Sequence, residues 1–113
     1  MVGGEDMLVD KGYIIELDYY RNHIRVKLVL EKGILQSIMF QYETLRNDEW
    51  KPVIRYDCAH GQPFHRDVIW PNGNKEKEFV DIQILEEAAV YAKQDLENKW
   101  QWYLDRYLSR IRR

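Results

Sequence analysis

The sequence predicts an α+β fold: a curved antiparallel sheet of about five strands, a meander followed by a hairpin, packed on one long C-terminal helix. Three observations predict it. Apolar and polar residues alternate through most of residues 12–70, the period of a half-buried strand. Turn-forming runs, "EKG" at 31–33, "RNDE" at 46–49 and "PNGNKEKE" at 71–78, cut that alternation into short lengths. Beyond Asp81 the period becomes three and four residues, and no Gly or Pro interrupts it. Strands followed by one helix make a two-layer domain in which the helix covers the apolar face of the sheet.

Residues 1–11, "MVGGEDMLVDK", hold no period and are expected to form a flexible tail. Residues 12–113 are expected to form a single domain, with the sheet at about 12–80 and the helix at about 82–112. In the first strand Tyr13, Ile15, Leu17 and Tyr19 share a face opposite Glu16 and Asp18. A turn at "RNH" follows, and His23 reads as a residue of that turn. Ile24, Val26, Leu28 and Leu30 then line the inner face of a second strand, with Arg25 and Lys27 outside, so acidic and basic side chains would meet across a hairpin. Gly33 supplies the positive φ that a tight hairpin turn requires. Ile34, Ile38, Phe40 and Tyr42 continue the inner face in a third strand. The fourth runs from about Trp50 to Asp57, where Pro52 calls for an edge position or a bulge. The fifth runs from about Phe64 to Trp70, and a short sixth near Phe79 carries the least pattern.

For the helix, Asp81 is the expected N-cap, and Ile84, Leu85, Ala88, Ala92, Leu96, Tyr103, Tyr107, Leu108 and Ile111 form its apolar stripe. Glu86 and Glu87 near the start and Arg106, Arg110, Arg112 and Arg113 near the end suit the macrodipole. About 30 residues at ~1.5 Å each give roughly 45 Å, against a radius of gyration of ~13 Å for a compact domain of this size. The helix is therefore expected to overhang the sheet or bend. Trp100 and Trp102 lie two positions apart and cannot both face the sheet. Together with Arg106 and Arg110 they give the aromatic and arginine composition of an interface, with a partner protein or a second copy of the chain.

Composition bounds the function. A hydrophobic fraction of 45% in 113 residues is enough for one packed core. The net charge of −2 excludes a general nucleic-acid binder, so any nucleic-acid contact has to be local. One cysteine makes no internal disulfide, and the first 30 residues lack the pattern of a signal peptide, so the cytoplasm is the expected compartment. No apolar run approaches the ~18 residues that span a bilayer.

Residues 55–67, "RYDCAHGQPFHRD", concentrate two of the three histidines, the single cysteine, two aspartates and two arginines. By strand alternation Arg55 and Asp57 share one face, Tyr56 and Cys58 the other. If the register places Asp57 and Asp67 together, then Arg55, Asp57, His65 and Asp67 form one polar cluster, with His60 in the loop above it. Two histidines suit general acid–base chemistry on RNA, one activating the ribose 2′-hydroxyl and the other protonating the leaving oxygen. Arg55 or Arg66 would then hold the phosphate, with Tyr56 as a further substrate contact. No cofactor is called for. A metal held by His60, His65, Asp57 or Asp67 is an alternative, although the spacing matches no zinc motif. A Cys58–His60 nucleophile pair, a polar docking surface, and an Arg–Asp ladder that merely satisfies an edge strand complete the alternatives.

The same stretch, after a strand meander and before a C-terminal helix, resembles that of small prokaryotic proteins related to the TumE-type toxins of toxin–antitoxin modules. Arg55, Tyr56, Asp57, His60, Phe64 and His65 match, whereas Cys58, Arg66 and Asp67 depart from the family pattern. The resemblance implies a prokaryotic, cytoplasmic toxin-like protein with an antitoxin partner, acting on RNA.

Overall fold

The computed structural model describes residues 8–59 and 62–111. The chain forms one six-stranded antiparallel sheet in the order of the sequence, followed by one helix. The strands are β1 (Leu8–Glu16), β2 (Asn22–Glu31), β3 (Ile34–Arg46), β4 (Glu49–Cys58), β5 (His65–Ile69) and β6 (Lys75–Phe79), and α1 is Leu85–Ile111. The α+β class and its layering are as predicted.

Two hairpins turn on two residues each. Lys32 and Gly33 join β2 to β3, and Asn47 and Asp48 join β3 to β4, all four with positive φ. This is the geometry of the turn whose twist matches that of the flanking strands. Pro52 sits at a bulge: the β3–β4 register shifts between Tyr42 and Glu43, leaving Val53 as the extra residue. The β4–β5 pairing ends at Ile54, so the missing Pro52 amide interrupts no ladder on that side.

Four boundaries differ from the sequence reading. β1 starts at Leu8, because residues 8–11, assigned above to the tail, pair with Leu28–Glu31 of β2. The first turn is Leu17–Arg21 rather than "RNH", with the Asp18 carboxylate accepting from the Arg21 and Asn22 amides at 3.2 and 2.9 Å. Asn22 and His23 therefore belong to β2. The charged run Lys75–Phe79 is a true edge strand, its alternating charges discouraging further pairing. α1 begins at Leu85, because a tight turn from Val80 to Ile82 occupies the expected Asp81 cap.

The sheet has a covered and an open face. Ile24, Val26, Ile38, Phe40, Tyr42, Ile54, Tyr56, Cys58 and Val68 alternate inward and meet Ala88, Ala92, Leu96, Tyr103 and Tyr107 of the helix in one core. Those helix positions recur at four and seven residues, a single stripe. Truncating the fully buried Leu96 to Ala would cost about 2–5 kcal/mol. The molecule measures 59 × 30 × 23 Å, elongated as the helix length requires. Among the described residues no helix is long and apolar enough to cross a membrane.

Candidate functional site

The β4–β5 register decides which polar residues meet. Arg55 lies opposite Asp67, Asp57 opposite His65, and Tyr56 opposite Arg66. Directly paired residues share a face, so Arg55, Asp57, His65 and Asp67 gather on the open side, as the alternation predicted. His65 Nε2 lies 3.7 Å from Asp67 Oδ2, and its Nδ1 lies 3.3 Å from the Pro63 carbonyl oxygen. Only the Pro63 contact is within hydrogen-bond reach, so Nδ1 is tethered while Nε2, with a carboxylate nearby, is left to give or take a proton. Beside it opens a cavity of about 340 Å³, its lining including Asp57, Gln62, Pro63, His65, Lys77 and Phe79. His60 lies outside the described residues.

Arg55 turns away from Asp67. Its Nε donates to Gln41 Oε1 at 2.6 Å, and Gln41 Nε2 donates to Glu43 Oε2 at 2.5 Å. The Glu43 carboxylate is buried and also takes Arg25 Nη2 at 2.8 Å and His23 Nε2 at 2.7 Å. The His23 ring stacks on Trp50 with centroids 3.9 Å apart. A continuous network therefore runs from His23 through Glu43 and Gln41 to Arg55 across β2, β3 and β4. Sequence reading missed it and placed His23 in a turn. The available signal was register: once Lys32 and Gly33 close the β2–β3 hairpin, His23 and Glu43 fall opposite each other after one bulge.

His23 and His65 do not serve one reaction centre. They stand three strands apart and four residues apart along the sheet, which at ~4.8 Å per strand and ~3.3 Å per residue separates them by roughly 20 Å. Acid and base at a single phosphodiester must lie much closer.

The covered face holds a different cluster, and it claims two residues that sequence reading gave to the substrate. Tyr56 is fully buried, its hydroxyl donating to Asp95 Oδ2 at 2.6 Å. Tyr103 donates to the same oxygen at 2.5 Å. Arg66 donates from Nη1 to both phenol oxygens, at 3.1 and 2.9 Å, and from Nε and Nη2 to Glu78. Strand alternation places Arg66 and Tyr56 across the sheet from His65, so neither contributes to the open cavity. Burial, then the Asp95 hydrogen bond, raises the phenol pKa of Tyr56 and Tyr103. For Arg66, burial alone would lower the pKa, but the Glu78 hydrogen bond and the two tyrosines outweigh it and hold the guanidinium charged. Cys58 also points to the covered side. Burial, then Asp57, pushes its thiol upward, and Sγ donates to the Gln62 carbonyl at 3.3 Å.

Among the described residues no three His, Cys, Asp or Glu side chains come together as a metal-binding group, so His65, Asp57 and Asp67 do not form one by themselves. On the helix, Trp100 is half-buried and packs against the core, edge-on to Tyr42 at 6.1 Å. Trp102 is 58% exposed. Arg106 stacks between Trp102 and Trp70 at 4.7 and 5.4 Å, and Arg110 lies over Trp70 at 4.1 Å.

A family model described as a domain of unknown function (DUF7718) matches residues 5–113, and the chain belongs to that family. No curated protein and no solved structure matches it.

Proposed function

We propose that this member of the DUF7718 family acts on RNA through the open face of its sheet, with His65 as a proton-transfer group, as the toxin of a prokaryotic, cytoplasmic toxin–antitoxin or defence module. The carrying observation is the cavity beside β5, where His65 Nδ1 meets the Pro63 carbonyl, Asp67 stands 3.7 Å from Nε2, and Asp57 and Lys77 line the wall. In the reaction a base removes the 2′-hydroxyl proton and O2′ attacks phosphorus. An acid then protonates the departing 5′ oxygen, leaving a 2′,3′-cyclic phosphate and a 5′-hydroxyl. His65 fills one of these two roles, and the sequence reading pairs it with His60. Asp67 orients the imidazole, Lys77 and Arg55 offer charge to the phosphate, and no cofactor enters.

The test is purified protein on single-stranded RNA, with and without a chelator. Wild type should leave cyclic-phosphate ends in both conditions, and His65→Ala should lose about 10²–10⁴-fold in rate while melting as wild type does. RNA left intact by wild type, or cleaved equally by the variant, overturns the reading.

A second reading rests on Trp102. An exposed tryptophan with an arginine over its ring is the makeup of an interface anchor. This surface suits an antitoxin or a second copy of the chain, and Trp102→Glu should then lower the mass of the assembly in solution without loss of sheet structure.

A further inference from the structure

At the opposite end of the open face from His65 lies a cavity of about 540 Å³, lined by Glu16, Leu17, Asp18, Tyr19, Tyr20 and Trp50. We infer that it is a base-binding subsite selective for guanine, which rests on the RNA reading above and names what that face recognises. The carrying juxtaposition is three aromatic rings around a pocket with one uncommitted carboxylate.

The rings are presented to solvent rather than to the core. Tyr19 and Tyr20 are 86% and 78% exposed, yet their centroids lie 5.9 Å apart. Consecutive residues of an extended chain point to opposite sides. Tyr20 instead has φ near 74°, a conformation uncommon for a bulky residue, and the two rings stand side by side. Trp50 offers the pocket a flat wall whose position is fixed by stacking on His23, itself tied to buried Glu43. Aromatic faces of this kind take the planar bases of single-stranded RNA.

The two acids differ in availability. Asp18 is occupied within its own loop, accepting from the Arg21 and Asn22 amides and from Asn22 Nδ2. Glu16 is exposed and makes no ion pair among the described residues. A carboxylate accepts two hydrogen bonds side by side. Guanine presents N1–H and N2–H₂ as adjacent donors. Adenine and cytosine each pair one donor with an acceptor that a carboxylate repels, and uracil sets its single donor between two acceptors. Glu16 lies opposite His23 on β1 and β2, so the pocket opens on the same side of the sheet as Arg25 and Arg55. Those cations suit the backbone of a strand running from the pocket toward His65, seven residues along β4 from Trp50 to Asp57.

Calorimetric titration of the full chain with GMP, AMP, UMP and choline tests the inference, using wild type, Glu16→Gln, Trp50→Ala and His65→Ala. GMP should bind at least about tenfold more tightly than AMP or UMP. Trp50→Ala should weaken GMP by about tenfold to a hundredfold. Glu16→Gln, at an exposed position that leaves the fold alone, should erase the preference over AMP. His65→Ala should bind GMP as wild type does. Equal binding of GMP and AMP, no nucleotide binding, or choline bound more tightly than GMP would each overturn it, the last by making the pocket a cation cage. Guanine binding without RNA cleavage would remove the enzymatic reading and leave this one standing. Cleavage without GMP binding would do the reverse.

Discussion

Two polar clusters grow from the same thirteen residues, and the sheet separates them. On the covered side Tyr56 and Arg66 join Asp95 and Tyr103 of the helix, with each phenol donating to one carboxylate oxygen and the guanidinium closing the group. On the open side Arg55, Asp57, His65 and Asp67 use similar chemical groups, and Asp57 and His65 line a cavity. Buried polar groups must satisfy one another or destabilise the fold, and the Asp95 cluster does so. The open cluster is satisfied more loosely, with 3.7 Å between His65 and Asp67 and Arg55 turned to Gln41. The difference teaches that polar concentration in a sequence does not mark a site by itself. Face, set by alternation, gives Tyr56 and Arg66 to holding the helix on the sheet and leaves Arg55, Asp57, His65 and Asp67 on the open side.

The largest effect should come from removing the centre of the covered cluster. Asp95→Ala leaves two buried hydroxyls without their acceptor and should cost about 3–5 kcal/mol in urea unfolding. A loss of less than about 1 kcal/mol would mean that water or rearrangement replaces the carboxylate, and the contrast between the faces would fail.

Next comes the pair of arginines. Arg66→Ala should destabilise by roughly 2–3 kcal/mol, because Glu78 and both phenols lose a charged donor. Arg55→Ala should cost about 1 kcal/mol or less in stability and fall mainly on RNA cleavage. A reversed pattern, with Arg66 needed for activity and Arg55 for folding, would invert the assignment of the faces.

Much of this was legible and some was not, for identifiable reasons. Alternation and turn chemistry are local, so Ile24, Val26, Phe40 and Tyr42 declared their face, and Pro52 its bulge, without reference to anything distant. β6 was faint because Lys75–Phe79 carries the charges that protect an edge, and those charges hide the strand period. Asp95 gave no signal at all. An acid on an otherwise polar stretch of helix looks solvated until the helix docks with that position over Tyr56, thirty-nine residues away in sequence. His23 was lost through a misplaced turn, and with it the Glu43 network, since a shift of turn by two residues changes which side chains enter the strand.

A smaller effect is expected from alkali. The phenols of Tyr56 and Tyr103 have folded-state pKa values raised above the ordinary 10.0 by burial and then by Asp95. A group raised in this way stabilises fully below its unfolded value and loses that contribution as pH climbs through the folded one. Stability should therefore decline from about pH 10 upward, and Tyr56→Phe should make the decline shallower. An unchanged slope would place the phenols in solvent.

Cys58 should matter least, and for that reason it sharpens the contrast. It is the one nucleophilic thiol in the crowded stretch, and a Cys–His pair was among the chemistries open to the sequence. Alternation turns it to the covered side, burial and Asp57 hold its proton on, and its Sγ–H donates to the Gln62 carbonyl. A thiol kept protonated is a poor nucleophile. Cys58→Ser keeps a donor for Gln62 at the expense of a slightly more polar core, so stability should change by no more than about 1–2 kcal/mol. Cleavage of RNA should be untouched, and iodoacetamide should label the native wild-type protein far more slowly than the unfolded chain. Rapid labelling together with loss of activity would instead put the thiol in the reaction and make the covered face part of the site.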